Sequence, residues 1–96
     1  MRRFFVLLTM TEQGLRHIDK SPERAAAFRK QVEAAGGKVE ALYWTVGQFD
    51  GAVIFQAPDD EIATALIVSL GRQGNVRTHT MRAFEPVEFQ RILAHA

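Results

Sequence analysis

The side chains able to do chemistry in this chain are few, and they cluster at three places. His79 lies in the run Arg77-Thr78-His79-Thr80, where strand alternation puts Arg77, His79 and Met81 on one face. If that face opens on a cavity, His79 is the best acid–base group in the chain, and Arg77 could steer an anionic substrate. The same residues also suit an edge strand whose polar groups are solvated or ion-paired across a dimer. Asp50 follows Gly47-Gln48-Phe49 and opens an apolar run. Its carboxylate could act as a base or hydrogen-bond acceptor in a cavity, or it could hold the turn by accepting backbone amides. Thr11, Glu12 and Gln13 come directly after the first apolar run and could bind a ligand or cap a turn before His17.

Other chemistries find no support. His17 with Asp19, and His95 near the end, lack metal-ligand spacing, so no metal is expected. Ser21 reads as a helix cap and Ser69 lies in an apolar helix, which leaves no Ser-His-Asp arrangement. Gly71-x-x-Gly74 ends a helix instead of starting one, so it is not a phosphate loop. Cysteine is absent, which excludes disulfides and thiolate chemistry. No cofactor is expected.

The elements that must position these groups follow from periodicity. Residues 3–10 form a continuous β-rich apolar run, and residues 11–19 read as a loop or single helical turn. Ser21 as N-cap with Pro22 next starts a helix whose stripe is Ala25, Phe28, Val32 and Ala35, ended by Gly36-Gly37. Strands are expected over 38–46 and 50–57, joined by a hairpin at Gly47-Gln48-Phe49 in which Gly47 takes a positive φ. Pro58-Asp59-Asp60-Glu61 opens a second helix lined by Ile62, Ala63, Leu66, Ile67 and Leu70. A strand over 75–84 and a helix from Glu85-Pro86 carrying Phe89, Ile92 and Leu93 complete the chain.

This order, β-α-β-β-α-β plus a terminal helix, predicts a single ferredoxin-like α+β domain over residues 1–96. Its four-stranded antiparallel sheet would carry both main helices on one face. The first and third strands are apolar at both parities, so the other face is apolar too. An exposed apolar sheet marks an interface, and the expected partner is a second copy of the chain. Trp44, grouped by alternation with Glu40 and Leu42, reads as interface packing or as a stacking platform.

Size and charge agree with that picture. A chain of 96 residues, 47% hydrophobic, supports one small core, and scaling gives a folded surface of roughly 5,500 Å². The formal net charge is only +1, which argues against nucleic acid and against a charged membrane surface. Gly47–Phe55 faintly echoes the third-strand pattern of an RNA-recognition motif, but the leading basic residue is missing and the pattern is out of register. The Met1-Arg-Arg start with its apolar run lacks a cleavage site after Met10, so a cytoplasmic location is expected.

Several short runs, taken in order, resemble the GYD-domain family of small bacterial proteins. They are Thr11-Glu12-Gln13-Gly14, Ser21-Pro22-Glu23-Arg24, Gly47-Gln48-Phe49-Asp50, Ala57 to Glu61, Leu70 to Thr78, and Arg82-Ala83-Phe84. The family is named for a Gly-x-Tyr-Asp signature, and here Phe49 stands at the tyrosine position, so a phenol at that point is not essential. The resemblance implies a dimeric α/β-barrel fold and no established reaction. Two functions follow as expectations. One is a homodimeric binding or regulatory protein holding a small molecule between the sheet and the loops at 11–14 and 47–50, with Thr11, Glu12, Gln13, Asp50 and Arg77 as contacts. The other is a cofactor-independent oxygenase or isomerase with His79 or Asp50 as base. A single pocket holding both side chains would favour the enzyme.

Overall fold

The computed structural model describes all 96 residues. Strand β1 (Arg2–Met10) leads into a short helix α1 (Glu12–Arg16), a 3-10 turn over Ile18–Lys20 and helix α2 (Ser21–Ala34). Strands β2 (Lys38–Trp44) and β3 (Gly51–Ala57) form a hairpin, followed by helix α3 (Asp60–Arg72), strand β4 (Val76–Ala83) and helix α4 (Pro86–Leu93). The strands lie in the order β2-β3-β1-β4, every pair antiparallel. The fold is ferredoxin-like, as the element order requires.

The core lies between the sheet and helices α2 and α3. Phe4 and Val6 of β1, Val39 of β2 and Val53, Phe55 and Ala57 of β3 point to the same side. They meet Phe28 and Val32 of α2, and Ala63 and Leu66 of α3. Phe55 is the hub: Phe4 stacks on it at 5.5 Å between ring centroids, and Phe28 meets it edge-on at 5.7 Å. Asp59 starts α3 by accepting the Ile62 amide at 2.8 Å, and Asp60 and Glu61 place negative charge at the positive helix end.

Two local features depart from simple alternation and capping. In β2 the register shifts between Val39, opposite Phe55, and Ala41, opposite Ile54, so Glu40 is an extra residue. The bulge reverses parity beyond it. Glu40 faces the open side of the sheet, while Leu42 and Trp44 turn towards the helices; Trp44 therefore does not share the open face with Glu40. At α2, the preceding 3-10 turn already supplies helical backbone, so Ser21 is the first helical residue and not the cap. Its hydroxyl is free to accept the Trp44 indole N–H at 3.1 Å.

The opposite face of the sheet is uncovered. Phe5 and Leu7 of β1, Ile54 of β3, Ala41 and Tyr43 of β2 and Met81 of β4 lie there in register. Tyr43 is 61% exposed and Met81 48%. Helix α4 carries Phe89, Ile92 and Leu93 on one side and buries none of its residues. The accessible surface is 6350 Å², roughly 800 Å² above the size scaling for a closed monomer. The radius of gyration is 14.2 Å, against about 12.5 Å for a compact chain of this length.

Because Leu66 is buried in the core between sheet and helices and Lys30 is exposed, Leu66→Ala should destabilise by about 2–5 kcal/mol. Lys30→Ala should stay within about 0.5 kcal/mol. Denaturant unfolding of the two variants checks the helical registers.

Candidate functional site

Two backbone-directed contacts close the turn between β2 and β3, and two more tie it to β1. Gly47 has φ +141°, in the region that favours glycine, as the hairpin requires. The Thr45 hydroxyl donates to the Phe49 carbonyl at 2.6 Å, and the Thr45 amide donates to the Asp50 carbonyl at 3.0 Å. β2 therefore stops at Trp44, short of Val46. Asp50 then reaches sideways to β1: its amide donates to the Leu8 carbonyl at 2.8 Å, and its Oδ2 accepts the Met10 amide at 2.7 Å. The carboxylate thus holds the end of the neighbouring strand and not the turn itself.

A second junction joins α1 to the segment between α3 and β4. Thr11 caps α1 by accepting the Gly14 amide at 3.1 Å and donates its hydroxyl proton to the Gly74 carbonyl at 2.6 Å. Its amide donates to the Asn75 carbonyl at 3.1 Å. Gln13 Nε2 donates to the Gln73 carbonyl and to Asn75 Oδ1, at 3.1 and 2.9 Å. Gly14 is required by space: a Cβ there would come within 2.0 Å of the Asn75 carbonyl oxygen. Glu12 is exposed and pairs with Arg16 at 3.3 Å.

Between the two junctions, at one end of the sheet, a cleft opens between β1–β3 and helices α2 and α3. It encloses about 660 Å³ of empty space including its open mouth. Leu8, Leu42, Val53 and Phe28 line its apolar interior, and Ser21, Arg24, Trp44, Asp50, Gln73 and Asn75 contribute polar groups. Of the catalytic and ligand-contact candidates named from sequence, only Asp50 lines this cleft. His79 pairs with Leu7 and Arg77 with Thr9, which places both on the open face of the sheet. There the His79 ring meets Phe49 edge-on at 5.5 Å. Asp50 and His79 therefore do not share a pocket.

Sequence reasoning missed Arg24, Asn75 and the cleft-facing position of Trp44. The bulge hid Trp44. Arg24 sits in the helix-opening run Ser21-Pro22-Glu23-Arg24, and nothing in that run distinguishes it from a solvated charge.

At the other end of the open face Arg3 spans the sheet. It holds Glu40 of β2 with two hydrogen bonds, at 2.5 and 3.1 Å, and Glu85 before α4 at 3.1 Å. The Arg3 guanidinium lowers the Glu40 carboxyl below its ordinary value, and the two carboxylates raise Arg3 in turn. This charged bar borders the apolar strip; it does not assemble a reactive centre.

Comparison with known proteins decides the family. The GYD domain matches residues 4–93, nearly the whole chain. The chain belongs to the GYD-domain family. A curated relative from Thermus thermophilus, the glutamine synthetase and cystathionine beta-lyase binding protein, is 31% identical over 84 residues, covering 86% of this chain and 88% of that one. Among solved structures, FFRP-DM1 superposes with a TM-score of 0.64 at 19% identity, covering 88% of this chain and all of that one. The feast or famine regulatory protein of M. tuberculosis, solved with L-methionine, gives 0.67 at 18% identity over 88% of this chain. The chain spans about half (51%) of that protein, and at these identities the likeness concerns the fold.

In this GYD domain two of the resembling runs therefore meet in space. Residues 11–14 lock onto residues 73–75, while 47–50 lock onto β1. Asp50→Ala leaves the Met10 amide without its acceptor and should cost about 1–3 kcal/mol, whereas Asp50→Asn, which keeps an oxygen there, should cost less. Gly14→Ala should cost about 1–3 kcal/mol or more by overpacking against Asn75. Thermal melts of the three variants check both junctions.

Proposed function

We propose that this GYD domain is a homodimeric binding and regulatory protein that works by contact, holding a small molecule and engaging partner proteins without covalent chemistry. The observation that carries the reading is the uncovered sheet face. Phe5, Leu7, Ile54 and Met81 form an apolar centre, with Arg3 and Glu40 at one end and Arg77 and His79 towards the other. An apolar centre inside a polar rim is the anatomy of a protein interface.

The enzymatic alternative needs a base and a second polar group acting on one substrate. Asp50 and His79 lie on opposite sides of the sheet, so a single pocket within one chain does not provide that pair. The Thermus relative is itself named for binding two enzymes, which supports carrying a protein-binding role over to this chain.

The test uses mass action. A dimer melts at a temperature that rises with protein concentration, whereas a two-state monomer does not. The melting temperature should rise across a hundredfold dilution series, and Met81→Glu, on the open face and outside the core, should abolish that dependence. A concentration-independent melt of the unsubstituted chain would reject the reading.

A further inference from the structure

We propose that the cleft between the sheet and helices α2 and α3 binds a small apolar zwitterion, with its ammonium group at Asp50 and its carboxylate at Arg24. The site deepens the binding role proposed above by naming the ligand class, and it rests on that role.

The cleft carries two charges that the chain itself leaves unmatched. Asp50 and Arg24 are the two charged residues lining the cleft, one on the sheet side and one on α2. Neither takes part in an ion pair. Asp50 uses Oδ2 for the Met10 amide and makes no hydrogen bond through Oδ1. Arg24 donates only to the His17 carbonyl, at 3.1 Å. The same cleft is lined by the apolar side chains of Leu8, Leu42, Val53 and Phe28.

Ligand classes differ in how they leave those charges. A neutral apolar molecule would fill the interior but remove water from both charges without replacing it, which is unfavourable. A simple amine would satisfy Asp50 and bring a like charge towards Arg24, and a simple carboxylate would do the reverse. A molecule carrying both groups on an apolar body compensates both and uses the apolar lining. A guanidinium also offers a carboxylate two parallel donors. Trp44, fastened to Ser21 at 3.1 Å, gives one wall a fixed aromatic surface that can also lie against an ammonium group.

Trp44 is the only tryptophan in the chain, so its fluorescence reports on this cleft. L-phenylalanine, 2-phenylethylamine and 3-phenylpropanoate share one apolar body and carry both charges, the cation alone and the anion alone. With excitation selective for tryptophan, L-phenylalanine should give a saturable change, and each single-charge analogue should bind at least about tenfold more weakly. Asp50→Asn and Arg24→Gln should each weaken L-phenylalanine binding by about tenfold or more, with melting temperature and molecular mass close to those of the unsubstituted protein. Arg24→Gln leaves the β1 clamp intact, so it stands as the cleaner variant if Asp50→Asn folds poorly. No saturable change up to about 10 mM, or an amine or acid binding as tightly as the zwitterion, would overturn the assignment. Either result leaves the concentration dependence of the melt unchanged, so failure here is distinguishable from failure of the dimer.

Discussion

The open face of the sheet governs how the rest of this molecule is built, because a two-layer fold with one helical layer has nothing of its own to put there. Phe5, Leu7, Ile54 and Met81 occupy in-register positions on that face, opposite a core that already uses Phe4, Val6, Val53 and Phe55. Burying apolar surface contributes about 25 cal/mol per Å², so an exposed strip of this size represents a large unrealised contribution. The cores of most small domains offer little reserve. In the dimer proposed here a second copy would supply the missing layer without lengthening the chain. Helix α4 extends the same logic, since its Phe89 and Leu93 are 50% and 56% exposed.

The residues that mark the GYD family serve this architecture by fixing strand ends. Asp50 joins the β2–β3 turn to β1 through the Leu8 carbonyl and the Met10 amide. Thr11, Gln13 and Gly14 join α1 to the start of β4. These two junctions flank the cleft, and their polar groups lie where the helical layer meets the sheet. Phe49 is turned to the other side, against His79. A phenylalanine suffices for that contact, which is an edge-to-face packing of rings and needs no hydroxyl. The signature segment thus addresses both sides of the sheet at once: its aromatic residue the open face, its carboxylate the cleft.

The fold was legible in the sequence because its main signals are local. The acidic opening of α3 at Pro58-Asp59-Asp60-Glu61, the Ala25–Phe28–Val32 stripe of α2 and the positive φ of Gly47 all follow from residue type and spacing. The site was less legible because its determinants are not local. One inserted residue at Glu40 moved Trp44 to the other side of the sheet, and alternation cannot reveal a bulge. The 3-10 turn at Ile18–Lys20 took Ser21 out of the cap position and gave it to Trp44. Thr11 and Gln13 read as free polar groups in the sequence because their partners lie some 60 residues away in the chain. His79 and Asp50 are each visible in the sequence, but the side of the sheet each one occupies depends on pairing with β1.

The measurement that bears most directly on the account is the mass of the protein in solution. Sedimentation equilibrium at micromolar concentration should return twice the 10.8 kDa of the chain, or a higher even multiple, and Met81→Glu should lower it towards the single-chain value. A well-behaved 10.8 kDa monomer at those concentrations, binding no apolar dye at its sheet face, would contradict the central claim.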